Sequence, residues 1–260
     1  MKLIILAAGE GKRLRPLTDN SPKCLVNLKG KSLLSRQLQT VKANLISSQD
    51  IAIVGGYKHE DLKGFGLEVF NNARFSSTNM VSTLFCASNF MVQNEDLIIS
   101  YGDIVYEEKI LEALICSDAE LSVVADKSWE RLWRLRMSNP LDDAETFIMD
   151  EGQHINELGK RPKSITEVQA QYIGLIKVRK DMVQNFKDTY YEMDRDCIYD
   201  GQNFDNMYMT SLIQYLIYNQ WEVKATLINN GWLEVDTIED LDRYESLSKK
   251  SLDSYCLLRD

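Results

Sequence analysis

The sequence predicts an α/β fold, a mixed and mostly parallel sheet flanked by helices. Three observations predict it. Short apolar runs of strand length alternate with amphipathic stretches of helical period along most of the 260 residues. The first run, "KLIILAA" at 2–8, reads as a buried strand. It breaks into "GEGKRLRP" at 9–16, a turn rich in glycine and positive charge at the carboxyl end of a strand, where such sheets place their ligands.

The elements follow in order. Leu34, Leu38, Val41 and Leu45 have the spacing of a helix over 32–45, and "IAIVGG" (51–56) and "LEVFNN" (67–72) read as strands. Asn79 can cap an apolar helix over 80–91. "DLIIS" (96–100) is a strand ending at "YGD", 108–116 is helical, and "LSVVAD" (121–126) is a strand. Residues 129–165 mix aromatic, basic and acidic side chains with Pro140 and Pro162 and read as an insertion of short strands and loops. A strand over 168–178, a strong helix over 205–219, strands over 222–228 and 232–236 and a closing helix over 238–247 complete the pattern, and the last dozen residues read as a mobile tail. No repeat, low-complexity tract or linker divides the chain, so one domain is expected over 1–260.

Composition excludes some functions. The formal charge is -9, from 30 basic and 39 acidic side chains, which argues against nucleic acid and anionic membrane surfaces as partners. The apolar start is too short for a secretory leader or a membrane span, and five cysteines without C-x-x-C pairing fit a reducing cytoplasm, with neither a disulfide framework nor a structural zinc site. Against that background, the cations Lys12, Arg13, Arg15 and Lys23 stand out, with only Glu10 and Asp19 among them.

A strand ending in Gly9-Glu10-Gly11 can turn sharply and present consecutive backbone N–H groups, a nest for phosphate oxygens, to which Arg13 and Lys23 add charge. Two other phosphate motifs fail. G-x-x-x-x-G-K-[ST] is absent, and the dinucleotide fingerprint needs a glycine where Leu14 stands. The ordinary alternative is a glycine turn with a solvated basic face, which the joint spacing of Arg13, Pro16 and Pro22-Lys23 disfavours.

"LAAGEGKRLRPLTDNSPKCLV" (6–26) resembles the signature L-A-A-G-x-G-x-R-[LM]-x-P-x-T-x(4)-P-K of the nucleotidyltransferases that activate sugar phosphates and phosphocholine with a nucleoside triphosphate. "YGD" at 101–103 is similar to the strand end carrying the family's metal-binding aspartate, and "EVDT" at 234–237 to its second. The resemblance covers nearly the whole chain. It implies the nucleotide-diphospho-sugar transferase fold, Rossmann-like, with a nucleotide-binding half (1–125), an acceptor-binding half (126–236) and a closing helix and tail (237–260). "TNMVSTL" (78–84) resembles the branch of choline-phosphate cytidylyltransferases. "LIISYGDIVY", "DKSWERLW", "NPLDDAET" and "NMYMTS" resemble more closely the cytidylyltransferases acting on phosphoglutamine in capsule phosphoramidate synthesis.

The resemblance implies transfer of CMP from CTP to a small phosphorylated acceptor with release of pyrophosphate. Asp103 and Asp236 would hold Mg²⁺, which takes a few carboxylates, phosphates and waters. As sequence alone, Asp103 also reads as a turn residue and Asp236 as a helix cap, with Thr237 as a rival cap. Arg13 and Lys23 would grip the triphosphate. Nucleotide contacts are expected from Leu6, Ala7, Ala8, Gly9, Glu10 and Gly11, and from Gly56, Tyr57, Asn79 and Thr83 around the base. A thymidylyl- or uridylyltransferase for sugar-1-phosphates is the alternative within the class, and a non-catalytic nucleotide-binding subunit the alternative outside it.

For the acceptor, "DKSWERLWRLR" (126–136) offers Lys127, Trp129 and Arg131, with Lys160 as a further cation. A quaternary ammonium would want an aromatic cage, and an amino acid an arginine and an acid; the cations lean to the amino acid. A plain amphipathic helix with its tryptophans in the core reads equally well. Glu167, Gln169 and Gln171 alternate and would share one strand face. The sequence leaves a monomer and a homodimer both open.

Overall fold

The computed structural model describes residues 1–259. Seven strands form the central sheet: β1 (Lys2–Ala7), β2 (Ile51–Gly55), β3 (Glu68–Asn71), β4 (Leu97–Tyr101), β5 (Leu121–Asp126), β6 (Gln171–Val178) and β7 (Val223–Ile228). Their spatial order is β7-β5-β6-β4-β1-β2-β3. Strand β6 runs antiparallel to both neighbours, and every other pair is parallel. The central strands are apolar without alternation because both sheet faces are covered.

The helices are α1 (Leu33–Ala43), α2 (Met80–Phe85), α3 (Glu108–Ile115), α4 (Trp129–Arg136), α5 (Val183–Glu192), α6 (Met209–Tyr218), α7 (Ile238–Ser246) and α8 (Lys249–Asp253). Leu34, Leu38, Leu111, Trp133 and Tyr244 carry α1, α3, α4 and α7 onto one core. Val81, Phe85, Phe186, Leu212 and Leu216 carry α2, α5 and α6 onto the other. Ser32 caps α1 by accepting from the Ser35 amide at 3.1 Å.

Several elements differ from expectation. The insertion at 129–165 opens with helix α4, whose Trp129, Leu132, Trp133 and Arg136 are buried. The helix expected over 80–91 ends at Phe85, and a 3-10 turn (Ser88–Phe90) follows it. The strand expected from 168 begins at Gln171, because Ile165–Glu167 is a 3-10 turn and the Gln169 amide donates to Phe147 O, outside the sheet. Glu167 and Gln169 therefore do not share a strand face with Gln171. Helix α6 starts at Met209, after a 3-10 turn (Phe204–Asn206) capped by Asn203. The tail forms α8 and packs, burying Leu252 and Cys256.

One small feature decides the position of the site. After β4 the chain turns through Gly102-Asp103 into a short strand (Ile104–Tyr106), which pairs antiparallel with Trp232–Glu234. The amide of Val235 donates to Asp103 O at 3.1 Å. This ribbon brings residues 103 and 236 together across 133 positions of sequence.

Candidate active site

The site is built at the carboxyl ends of β1 and β4. The Gly102 amide donates to Leu6 O at 2.9 Å, locking the two strand ends together. Beyond Ala8 the chain enters the loop through Gly9 and Gly11. Gly11 has φ 63°, and a Cβ there would lie 3.0 Å from the side chains of Lys23 and Thr18. Glycine thus lets the loop close on Lys23, and Thr18 Oγ1 pins it by donating to Gly11 O at 2.8 Å.

Lys23, at the start of a 3-10 turn (Lys23–Leu25), donates to Asp103 Oδ2 at 2.6 Å and to Asp236 Oδ1 at 2.7 Å. Arg13 pairs with the other Asp236 oxygen. Burial works against the Lys23 charge, but Asp103 and Asp236 outweigh it and raise its pKa. Burial likewise opposes charge on Asp236, yet Lys23, Arg13 and Arg136 hold that carboxyl below its ordinary value. Asp103 Oδ1 is buried and has no hydrogen-bond partner among the described residues. Asp236 is free to face the cleft because Thr237 caps α7 in its place, in a capping box with Asp240.

Three clefts meet here. The first, about 420 Å³, is lined by Gly9, Gly11, Arg13, Lys23, Asp103 and Asp236, with Glu10, Phe75 and Ser76 also on its wall. The second, about 170 Å³, is lined by Leu6, Ala8, Gly9, Asn79, Thr83 and Asp103, together with Met80 and Tyr101. The third, about 160 Å³, shares Met80 and Tyr101 with the second and adds Glu145, Gln171, Tyr172 and Glu234. Gly174 in β6 makes room for the shared tyrosine, since at φ 84° its Cβ would fall 2.6 Å from the Tyr101 ring.

A MobA-like NTP transferase domain matches residues 3–161. The chain belongs to that family. Among relatives of this MobA-like NTP transferase, the CTP:phosphoglutamine cytidylyltransferase of Campylobacter jejuni subsp. jejuni is 44% identical over 251 residues, 93% of this chain and 98% of that one. The inositol-1-phosphate CTP transferase of T. maritima superposes with a TM-score of 0.74 at 19% identity, covering 100% of this chain and 96% of that one. The CTP:phosphocholine cytidylyltransferase of Streptococcus pneumoniae superposes at 0.66 and 20% identity, covering 94% and 97%. These structures share the nucleotidyltransferase fold expected from the opening motif.

The transferase brings Arg13, Lys23, Asp103 and Asp236 into one cluster, the meeting that the family resemblance implies. Ala7 is buried in β1 and lines none of the three clefts. Glu10 pairs with Lys12 and Arg15 at the mouth of the first cleft. Asn79 caps α2, accepting from the Met80 amide at 2.8 Å, and Thr83 is buried one turn on, accepting from Asn72 Nδ2 at 2.9 Å. Gly56 and Tyr57 stand behind the wall rather than in it. A Cβ on Gly56 would strike Phe75 at 2.5 Å, and the Tyr57 hydroxyl donates to Asp19 O at 2.6 Å.

The acceptor candidates mostly lie elsewhere. Trp129 is a core residue, its Nε1 donating to Val168 O at 3.1 Å. Arg131 holds the C-terminal segment, donating to Ser254 O at 2.7 Å and lying 3.9 Å from the centre of the Tyr255 ring. Lys127 is exposed and lines none of the three clefts, and Lys160 pairs with Glu157 at 2.5 Å. Glu167 accepts from the Lys163 amide, and Gln169 from the Met149 amide. Only Gln171 reaches the third cleft, where its Oε1 accepts from the Glu145 amide at 3.2 Å. Sequence reasoning missed Tyr101, Glu145, Tyr172 and Glu234. Glu234 carried a signal as the first letter of "EVDT", Tyr101 as the first of "YGD" and Glu145 as part of "NPLDDAET", but nothing in the sequence shows that they meet Tyr172 in one cleft.

Proposed function

We propose that the protein is a cytidylyltransferase that moves CMP from CTP to phosphoglutamine, releasing pyrophosphate and making a CDP-linked product for capsule modification in the cytoplasm. The observation that carries the transfer reaction is the Lys23–Asp103–Asp236 cluster beside the glycine loop. The 44% identity to a CTP:phosphoglutamine cytidylyltransferase along nearly the whole chain supports the choice of base and acceptor.

The chemistry asks little of a general base. The terminal phosphoryl group of such an acceptor is mostly dianionic near neutral pH, as phosphate monoesters are with a second pKa of about 6. Its oxygen attacks the α-phosphorus as the bond to the leaving pyrophosphate breaks. The barrier lies in bringing anions together and in stabilising the charge that passes to pyrophosphate, which is work for positioned cations and amides. Gly9 and Gly11 would offer backbone N–H groups, and Lys23 and Arg13 would exchange their carboxylate partners for phosphate oxygens.

The donor set fits Mg²⁺. Asp103 and Asp236 converge on one cationic centre, now the Lys23 ammonium, and Asp103 keeps a buried oxygen without a partner. When bound, the ion would neutralise phosphate charge and orient the triphosphate.

Pyrophosphate release with Mg²⁺ tests the proposal, pairing each nucleoside triphosphate with phosphoglutamine, phosphocholine and sugar-1-phosphates in turn. Release is expected with CTP and phosphoglutamine. Release only with UTP or dTTP and a sugar phosphate overturns it. No helix among the described residues is long and apolar enough to cross a membrane.

A further inference from the structure

The third cleft is acidic and aromatic at once. Asp143, Glu145 and Glu234 line it with Tyr101, Trp133 and Tyr172. Glu234 has a cation partner, since Arg136 donates to its Oε2 at 2.6 Å, although burial with Asp103 and Asp236 still pushes its pKa up to about 7. Glu145 has none: among the described residues no cation pairs with its carboxylate and no group donates to it. Burial, reinforced by Asp143, Glu234 and Asp200, pushes its pKa up to about 7. In the same cleft the Tyr172 hydroxyl is buried beside the Tyr101 hydroxyl and makes no well-formed hydrogen bond among the described residues. A half-buried carboxylate without a cation and a buried hydroxyl without a well-formed hydrogen bond are both costly, and such groups call for a ligand that completes them.

Resting on the cytidylyltransferase reading above, we propose that Glu145 and Tyr172 receive the α-ammonium group of the acceptor, so that this cleft selects an amino-acid phosphate. A primary ammonium donates hydrogen bonds, so it serves both the carboxylate and the phenol oxygen. A quaternary ammonium has no N–H and would leave the Tyr172 hydroxyl unpaired, and a sugar brings no positive charge.

Calorimetry on the full chain tests this, using phosphoglutamine, its α-N-acetyl derivative and phosphocholine against wild type, Glu145→Gln and Tyr172→Phe. Pyrophosphate release from CTP is followed in parallel, and circular dichroism checks that each variant is folded. Acetylation is expected to weaken binding to wild type by at least about tenfold, and Glu145→Gln to weaken phosphoglutamine by a similar factor. In Glu145→Gln, acetylation should then change affinity by less than about twofold, because the partner it removes is already gone. Equal binding of acetylated and free acceptor by wild type, unaltered binding by Glu145→Gln, or tighter binding of phosphocholine than of phosphoglutamine each overturns the ammonium site, even where pyrophosphate release upholds the reaction. The expected binding pattern without pyrophosphate release overturns the reaction and leaves the ammonium site standing. Absence of any phosphoglutamine binding overturns both.

Discussion

In the proposed reaction, Lys23 is the residue on which most depends. It sits between two carboxylates that would otherwise face each other, and their attraction keeps it charged despite its burial. Replacing it with alanine removes a positive charge aimed at the triphosphate and leaves Asp103 and Asp236 in mutual repulsion. Lys23→Ala should therefore lower kcat about 100- to 1,000-fold, the usual cost of losing one preorganised charge donor, as steady-state pyrophosphate release will show. Asp103→Asn and Asp236→Asn test the metal site separately. Each should cut the magnesium-dependent rate by at least about 100-fold while the melting temperature stays within a few degrees, because neutralising one of two like charges relieves repulsion even as it loses a partner for Lys23. Turnover retained by either variant would remove that residue from the metal site.

The elements carry the precision the site needs, and the key support comes from a side chain no motif announces. Gln37, on α1 and fully buried, donates through Nε2 to Tyr101 O at 2.8 Å and to Ile104 O at 2.7 Å, and accepts from Ser100 Oγ at 3.0 Å. It holds both ends of the turn that presents Asp103. Gln37→Leu would strand three buried polar partners, so urea unfolding should report a loss of about 3 kcal/mol. The apparent magnesium affinity should fall as well, since the turn loses its anchor. Arg136 plays a related part for the other aspartate, binding Asp240 while Asp240 Oδ2 accepts from the Asp236 amide at 3.1 Å. The sheet strands were legible because continuous apolar runs leave little choice of structure, and the glycine-and-cation loop of the candidate site was legible because its residues are packed into 18 consecutive positions, Leu6–Lys23. Helix α5 was not, since its buried face rests on Val183, Phe186 and Tyr190 amid polar residues. The acceptor side was not either. Trp129 and Arg131 have the residue types of a binding site, but helical period spends one on the core and the other on the C-terminal segment. Glu145 and Tyr172 meet only through tertiary folding, so no local spacing announces them.

At the scale of the whole molecule, the third cleft, proposed for the acceptor, should cost the empty protein stability, and that cost has a pH signature. Glu145 gathers its surroundings from distant parts of the chain: Asp143 beside it, Glu234 from the ribbon, and Asp200 from the turn before α6. Folding raises its pKa from an ordinary 4.5 to about 7. A carboxyl whose folded pKa is raised binds its proton more tightly in the native state than in the unfolded chain. Below the unfolded value the group is protonated in both states and imposes no penalty. As pH climbs from about 4.5 to about 7 the penalty grows, and above that window it is complete. Because the side chain is partly exposed, the full effect should be on the order of 2 kcal/mol rather than the larger figure the shift alone would give. Glu145→Gln keeps the shape and removes the charge, so the variant should match wild type near pH 4.5 and exceed its stability by about 2 kcal/mol at pH 8, measured by urea unfolding without ligands. Saturating phosphoglutamine should narrow the gap at pH 8 by about 1.4 kcal/mol for each factor of ten in affinity, stabilising wild type more than the variant, since only wild type offers the charge its ammonium needs. Stability curves for the two proteins that run parallel across this range, with and without the acceptor, would mean that Glu145 is an ordinary solvated carboxylate and that the cleft's acidity has no part in choosing the substrate.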